Sequence, residues 1–115
     1  AVMEVPTKTA PLDTRHDYDG HPTTHRKAHN VYGMQMVRAT FNGVKKYVYP
    51  KRPFVITRAA FAGTQRYACT WSGDNVATWE HLWIANVQIQ RMCMSGYSFI
   101  GSDIGGFARR PTNPF

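Results

Sequence analysis

The chain has 115 residues, a net charge of +7 and 43% hydrophobic content. That is enough for one modest domain with one core. Two cysteines, Cys69 and Cys93, exclude a disulfide framework, and no apolar run within 1–115 approaches the length of a membrane-spanning helix. Cys69 falls on a strand-like run and Cys93 late in a helix-like one, so both are expected as small buried hydrophobes. An Ala start, an Asn-Pro-Phe end and no leader-like segment fit an internal piece of a longer protein, which leaves localisation open.

Residues 1–24 read as a loop, with Pro6, Pro11, Gly20 and Pro22 among many Thr and Asp and no sustained periodicity. His16, His21, His25 and His29 lie here and just beyond, beside Asp13, Asp17 and Asp19. His25 and His29 would share a helical face, which raises zinc. No HExxH accompanies them and the outer histidines sit on irregular chain, so a polar loop is expected and no metal site. Thr24 is placed to cap a helix starting near His25. Ala28, Val31, Tyr32, Val37, Phe41, Val44 and Val48 follow three- and four-residue steps. Gly33 and Gly43 weaken that helix by about 1 kcal/mol each, yet the stripe continues past them until Pro50 ends it.

Pro53–Thr57 reads as a buried strand and delivers Arg58 at its end. The next segment, 59–66, is short, whereas a parallel crossover usually takes a dozen or more residues. Tyr67–Trp71 reads as a second strand, leading into Trp71-Ser72-Gly73-Asp74-Asn75. Val76–Met94 is the strongest helical run. Trp79, Leu82, Trp83, Ile84, Val87, Ile89 and Met92 make it apolar nearly all round, so it is expected to be largely buried. Ser95-Gly96 ends it. Tyr97–Ile100 reads as a third strand, delivering Gly101-Ser102-Asp103. The order is an α/β pattern.

The charge invites a nucleic-acid reading, because nine Lys and Arg and no acid lie between Asp19 and Asp74. They spread over a helix, a turn and two strands without a nucleic-acid-binding signature, so no nucleic acid and no membrane partner is expected. A basic binding module stays as the rival from another class, and it predicts a steep salt dependence of affinity.

Each of the three strand-like runs is followed by a charged side chain: Arg58, Asp74, Asp103. In a parallel sheet those ends open on one side, where catalytic groups gather. Each also has a structural explanation. Arg58 can pair with a buried acid, Asp103 can cap a turn, and Asp74 or Asn75 can cap the helix that follows.

The stretch Arg52–Phe107, with Trp-x-Gly-Asp-Asn at 71–75 and Gly-Ser-Asp-Ile-Gly-Gly-Phe at 101–107, closely resembles the catalytic core of glycoside hydrolase family 31, the family of the α-glucosidases. The resemblance reaches back more loosely through His29-Asn30-Val31-Tyr32-Gly33. It implies a partial (β/α)₈ TIM barrel of about three strands and their helices, since a whole barrel takes roughly 250 residues. Residues 1–115 would then be a fragment of one catalytic domain, partnered by the remainder of the same polypeptide. It implies a retaining exo-acting α-glucosidase acting on α-linked oligosaccharides, without a cofactor. Asp74 matches the family's general acid/base. Arg58 and Asp103 match substrate-binding positions, and Trp71 and Phe107 match aromatic walls of the sugar pocket. The nucleophilic Asp is expected upstream of Ala1, and a pocket histidine beyond Phe115, so the fragment alone is expected to be inactive. An α-xylosidase or transglycosylase of the same family, or a catalytically silent relative, is the alternative.

Overall fold

A computed structural model describes residues 10–109. Two short strands, β1 (Arg15–His16) and β2 (Thr23–Thr24), pair antiparallel and lead into helix α1 (His25–Val48). Strands β3 (Ile56–Thr57), β4 (Cys69–Trp71) and β5 (Ile100–Gly101) form a parallel sheet in chain order, with helix α2 (Trp79–Met94) between β4 and β5. Among the described residues the barrel is partial, and no helix is long and apolar enough to cross a membrane.

The long α1 follows its apolar stripe through both glycines, as the periodicity predicts. Gly33 has a positive reason to be there: a Cβ would come within 3.4 Å of the Ala59 carbonyl oxygen and closer still to its Cβ. The helix therefore packs against the chain just after β3 at a distance only glycine permits. Thr24 holds the cap position with extended backbone, but its side chain makes no cap hydrogen bond. The first amides are satisfied from the loop instead, His25 N–H by the Thr14 carbonyl at 2.7 Å and Arg26 N–H by that of Leu12 at 2.9 Å.

The sheet shows how the short β3–β4 connection joins parallel strands. The two strands are parallel, with Ile56 opposite Cys69 and Thr57 opposite Thr70. The link succeeds because it folds on itself. A single 3₁₀ turn, Thr64–Arg66, starts at Gly63 in the left-handed region, and Thr64 is fully buried. Thr64 N–H donates to the Phe61 carbonyl, whose oxygen also accepts from the Tyr97 hydroxyl. Thr70 pairs with Ile100 and Trp71 with Gly101. All three paired segments are shorter than the apolar runs that contain them, and Pro53 offers no N–H to extend β3.

Helix α2 departs from expectation at its start. It begins at Trp79, not Val76, because the amides before it are already taken: Val76 N–H donates to His81 Nδ1 at 3.0 Å and Ala77 N–H to the Ala108 carbonyl at 2.9 Å. It is also largely exposed. Ala85 alone is buried, while Leu82, Trp83 and Ile84 face outward, since the described residues place no second layer over that face. Cys93 lies on the same exposed side and is not a buried hydrophobe, whereas Cys69 is buried with its thiol on the Val55 carbonyl at 3.3 Å. The strand expected to be buried at 53–57 likewise shows Phe54 and Ile56 at 68% and 53% exposure.

Candidate active site

The three parallel strands bring their C-terminal ends side by side, so Arg58, Asp74 and Asp103 issue from one end of the sheet. Beneath them lies an open cavity of about 500 Å³. Trp71, Asp74, Asp103 and Phe107 line it together with apolar side chains of the sheet, including Ile56 and Phe99. Arg58 does not line it. Its guanidinium lies against Gly73, so close that a Cβ there would stand 2.8 Å from Cζ. Gly73, at φ +86, thus lets the arginine seat on the backbone one residue before Asp74.

The helix-capping explanation for Asp74 and Asn75 fails. The N-cap of α2 is Thr78, whose hydroxyl accepts from His81 N–H at 3.2 Å. Among the described residues, no hydrogen bond or ion pair engages the carboxylate of Asp74 or of Asp103, and none joins Arg58 to an acid. The half-buried Asp74 carboxylate is therefore uncommitted at the mouth of a cavity. On either side of it, Ser72 Oγ and Asn75 Oδ1 are buried without a partner among the described residues. Buried polar atoms are normally satisfied, so these oxygens mark places where a donor is owed.

The Asp74 loop is held from two directions. Phe107 N–H and Ala108 N–H both donate to the Asn75 carbonyl, at 2.8 and 3.0 Å, and Val76 bridges to Ala108 in parallel. Gly106, at φ +84, sits where a Cβ would be 2.6 Å from Ala77 Cα. From the helix side, the Val76 amide donates to His81 Nδ1, which fixes that nitrogen as an acceptor.

Sequence reasoning missed two of these residues. Thr78 had a readable signal, a threonine directly before the densest apolar run. His81 had none, because its partner lies on another turn of chain. Three of the four histidines of the N-terminal segment pair with one another: His16 Nε2 lies 2.9 Å from His25 Nδ1, and His29 Nδ1 lies 3.0 Å from His25 Nε2.

The family described as "Glycosyl hydrolases family 31 TIM-barrel domain" matches residues 1–114. The chain is 51% identical over 102 residues to "Alpha-glucosidase 2" of Bacillus thermoamyloliquefaciens, covering 89% of this chain and 13% of that protein. It is 44% identical over 114 residues to "Glucosidase 2 subunit alpha" of Saccharomyces cerevisiae, covering 97% and 12%. Among solved structures, a glucosidase II alpha subunit bound to Glc1Man2 superposes with a TM-score of 0.80 at 36% identity, over 89% of this chain and 11% of that one. The chain thus spans about an eighth of the length of these curated relatives. A match over nearly its whole length makes this chain a member of glycoside hydrolase family 31 and a part of that family's TIM-barrel domain.

Proposed function

We propose that the polypeptide carrying residues 1–115 is a retaining, exo-acting α-glucosidase in which Asp74 is the general acid/base. The observation that carries this reading is the uncommitted Asp74 carboxylate on a cavity shared with Trp71, Asp103 and Phe107. A sugar presents C–H faces to aromatic rings and hydroxyls to carboxylates, and this wall offers both.

Retention takes two carboxyl groups roughly 5–5.5 Å apart. In this reading the nucleophile is an aspartate preceding Ala1 in the full polypeptide. It attacks the anomeric carbon while Asp74 gives its proton to the departing glycosidic oxygen, forming a β-linked glycosyl-enzyme. Asp74, now a carboxylate, takes a proton from water as that water attacks the same carbon from the α face. The bond to the nucleophile breaks and α-glucose leaves. Asp103 accepts hydroxyls of the bound glucose, Trp71 and Phe107 wall it, and Arg58 braces the Gly73–Asp74 backbone. No cofactor takes part.

Asp74→Asn in the full-length protein tests this. Hydrolysis of maltose should fall by about 10²–10⁴-fold. An α-glucosyl fluoride, whose leaving group needs little acid help, should still be cleaved to the intermediate. Azide needs no general base, so it should restore turnover and, attacking from the α face, give the α-glycosyl azide. A β-glycosyl azide would make Asp74 the nucleophile instead, and unchanged maltose hydrolysis would remove it from catalysis.

A further inference from the structure

A second cavity, of about 230 Å³, lies between the Arg15–Asp19 segment and the first turns of α1. It shares no lining residue with the Asp74 cavity. Its wall is mostly carbon, from Ala28, Val31, Met36 and the rings of Tyr18 and Tyr32. Tyr32 is held in place by His16 and by the fully buried His25, whose ring centres lie 5.4 and 5.5 Å from its own.

Among the polar groups on this wall, His16 and Asp19 are engaged, while Asp17 and Gln35 each keep an open oxygen among the described residues. Asp19 is bound by Arg38 through contacts of 2.5 and 2.7 Å. Asp17 accepts from Gly20 N–H at 3.0 Å through one oxygen. The amide oxygen of Gln35 is buried and has no hydrogen-bond partner among the described residues. A buried amide oxygen without a partner is disfavoured. Gln35 lines the cavity beside Val31, Tyr32 and Met36, where a group entering the cavity can supply the missing partner.

We propose that this cavity is a second saccharide site, taking one uncharged sugar ring apart from the catalytic cleft. A hydroxyl satisfies Gln35 in either orientation of the amide, as donor to the oxygen or acceptor from the NH₂. The spare Asp17 oxygen accepts a second hydroxyl and repels an anion. The tyrosine rings and the aliphatic wall take the C–H face. The cavity lies below the roughly 300 Å³ at which drug-sized pockets begin, which fits a single ring. The inference stands independently of the role given to Asp74.

The test uses the full-length enzyme with its catalytic cleft blocked by a covalent cyclitol epoxide. Methyl α-D-glucopyranoside and, separately, maltotetraose are titrated by saturation-transfer NMR. Saturable binding of either is expected, and Gln35→Leu and Tyr18→Ala should each weaken it about tenfold. Binding of the methyl glucoside identifies a free sugar as sufficient. Binding of maltotetraose alone identifies a residue of a longer chain. Absence of saturable binding to the blocked wild type overturns the proposal, as does equal affinity in Gln35→Leu. Glucose 6-phosphate binding as well as the methyl glucoside refutes the exclusion of anions. Asp74→Asn should lose hydrolysis yet keep this second titration, so the two proposals fail separately.

Discussion

His81 carries the most informative perturbation. Its Nδ1 is the acceptor for the Val76 amide, two residues after Asp74, while its own N–H is fixed by the Thr78 cap. His81→Leu removes the side-chain acceptor and leaves a part-buried N–H unpaired. That costs about 1–3 kcal/mol, concentrated on the segment that positions Asp74. The loop retains its bonds to Phe107 and Ala108, so it should shift and not unravel. A displacement of about 1 Å at a reacting group lowers a rate by as much as 10²-fold. In the full-length protein, kcat on p-nitrophenyl α-glucoside and on maltose should therefore fall by about 10–100-fold, with KM changed far less. His81→Asn keeps an acceptor close to the Nδ1 position and should recover much of the loss. Kinetics of the two variants side by side decide the matter. A kcat within twofold of wild type for His81→Leu, or an Asn variant as impaired as the Leu one, would refute the positioning role.

Two further substitutions test the packing that supports the site. Gly33→Ala should destabilise, because the gain of about 1 kcal/mol in helix propensity is set against a collision with Ala59; a denaturation midpoint at or above wild type would contradict the close approach. Thr78→Ala should cost about 1 kcal/mol by removing the cap of α2, measured as loss of protection from hydrogen exchange at His81 N–H, while Asp74→Ala should leave that amide's protection intact.

Legibility in the sequence followed how local the deciding interaction was. The α1 stripe survived Gly33 and Gly43 because many apolar positions outvoted two glycines, and the end at Pro50 was a matter of covalent geometry. The strand-end placement of Arg58, Asp74 and Asp103 was visible because apolar runs stop just before each. The start of α2 was not, since Val76 and Ala77 have their amides claimed by His81 and Ala108 rather than by their own helix. Nor was the parallel β3–β4 pairing, which depends on Thr64 burying itself in a one-turn link. The exposure of Cys93 was misjudged for a different reason. An all-round apolar helix states how much surface needs covering, not which residues cover it.

The Asn75 carbonyl, accepting from both Phe107 and Ala108, fuses two signatures that lie some thirty positions apart into one mechanical part. Asp74 and the cavity wall at Phe107 are thereby tied to one backbone junction, so neither can be tuned in isolation. A chimera that imported the 101–107 loop of a relative to alter sugar preference would also re-aim Asp74, and its altered selectivity would arrive with an altered turnover. Loop exchange in this scaffold must therefore treat 71–77 and 101–108 as a single cassette, with Gly106 carried along because the fit against Ala77 leaves no room for any other residue.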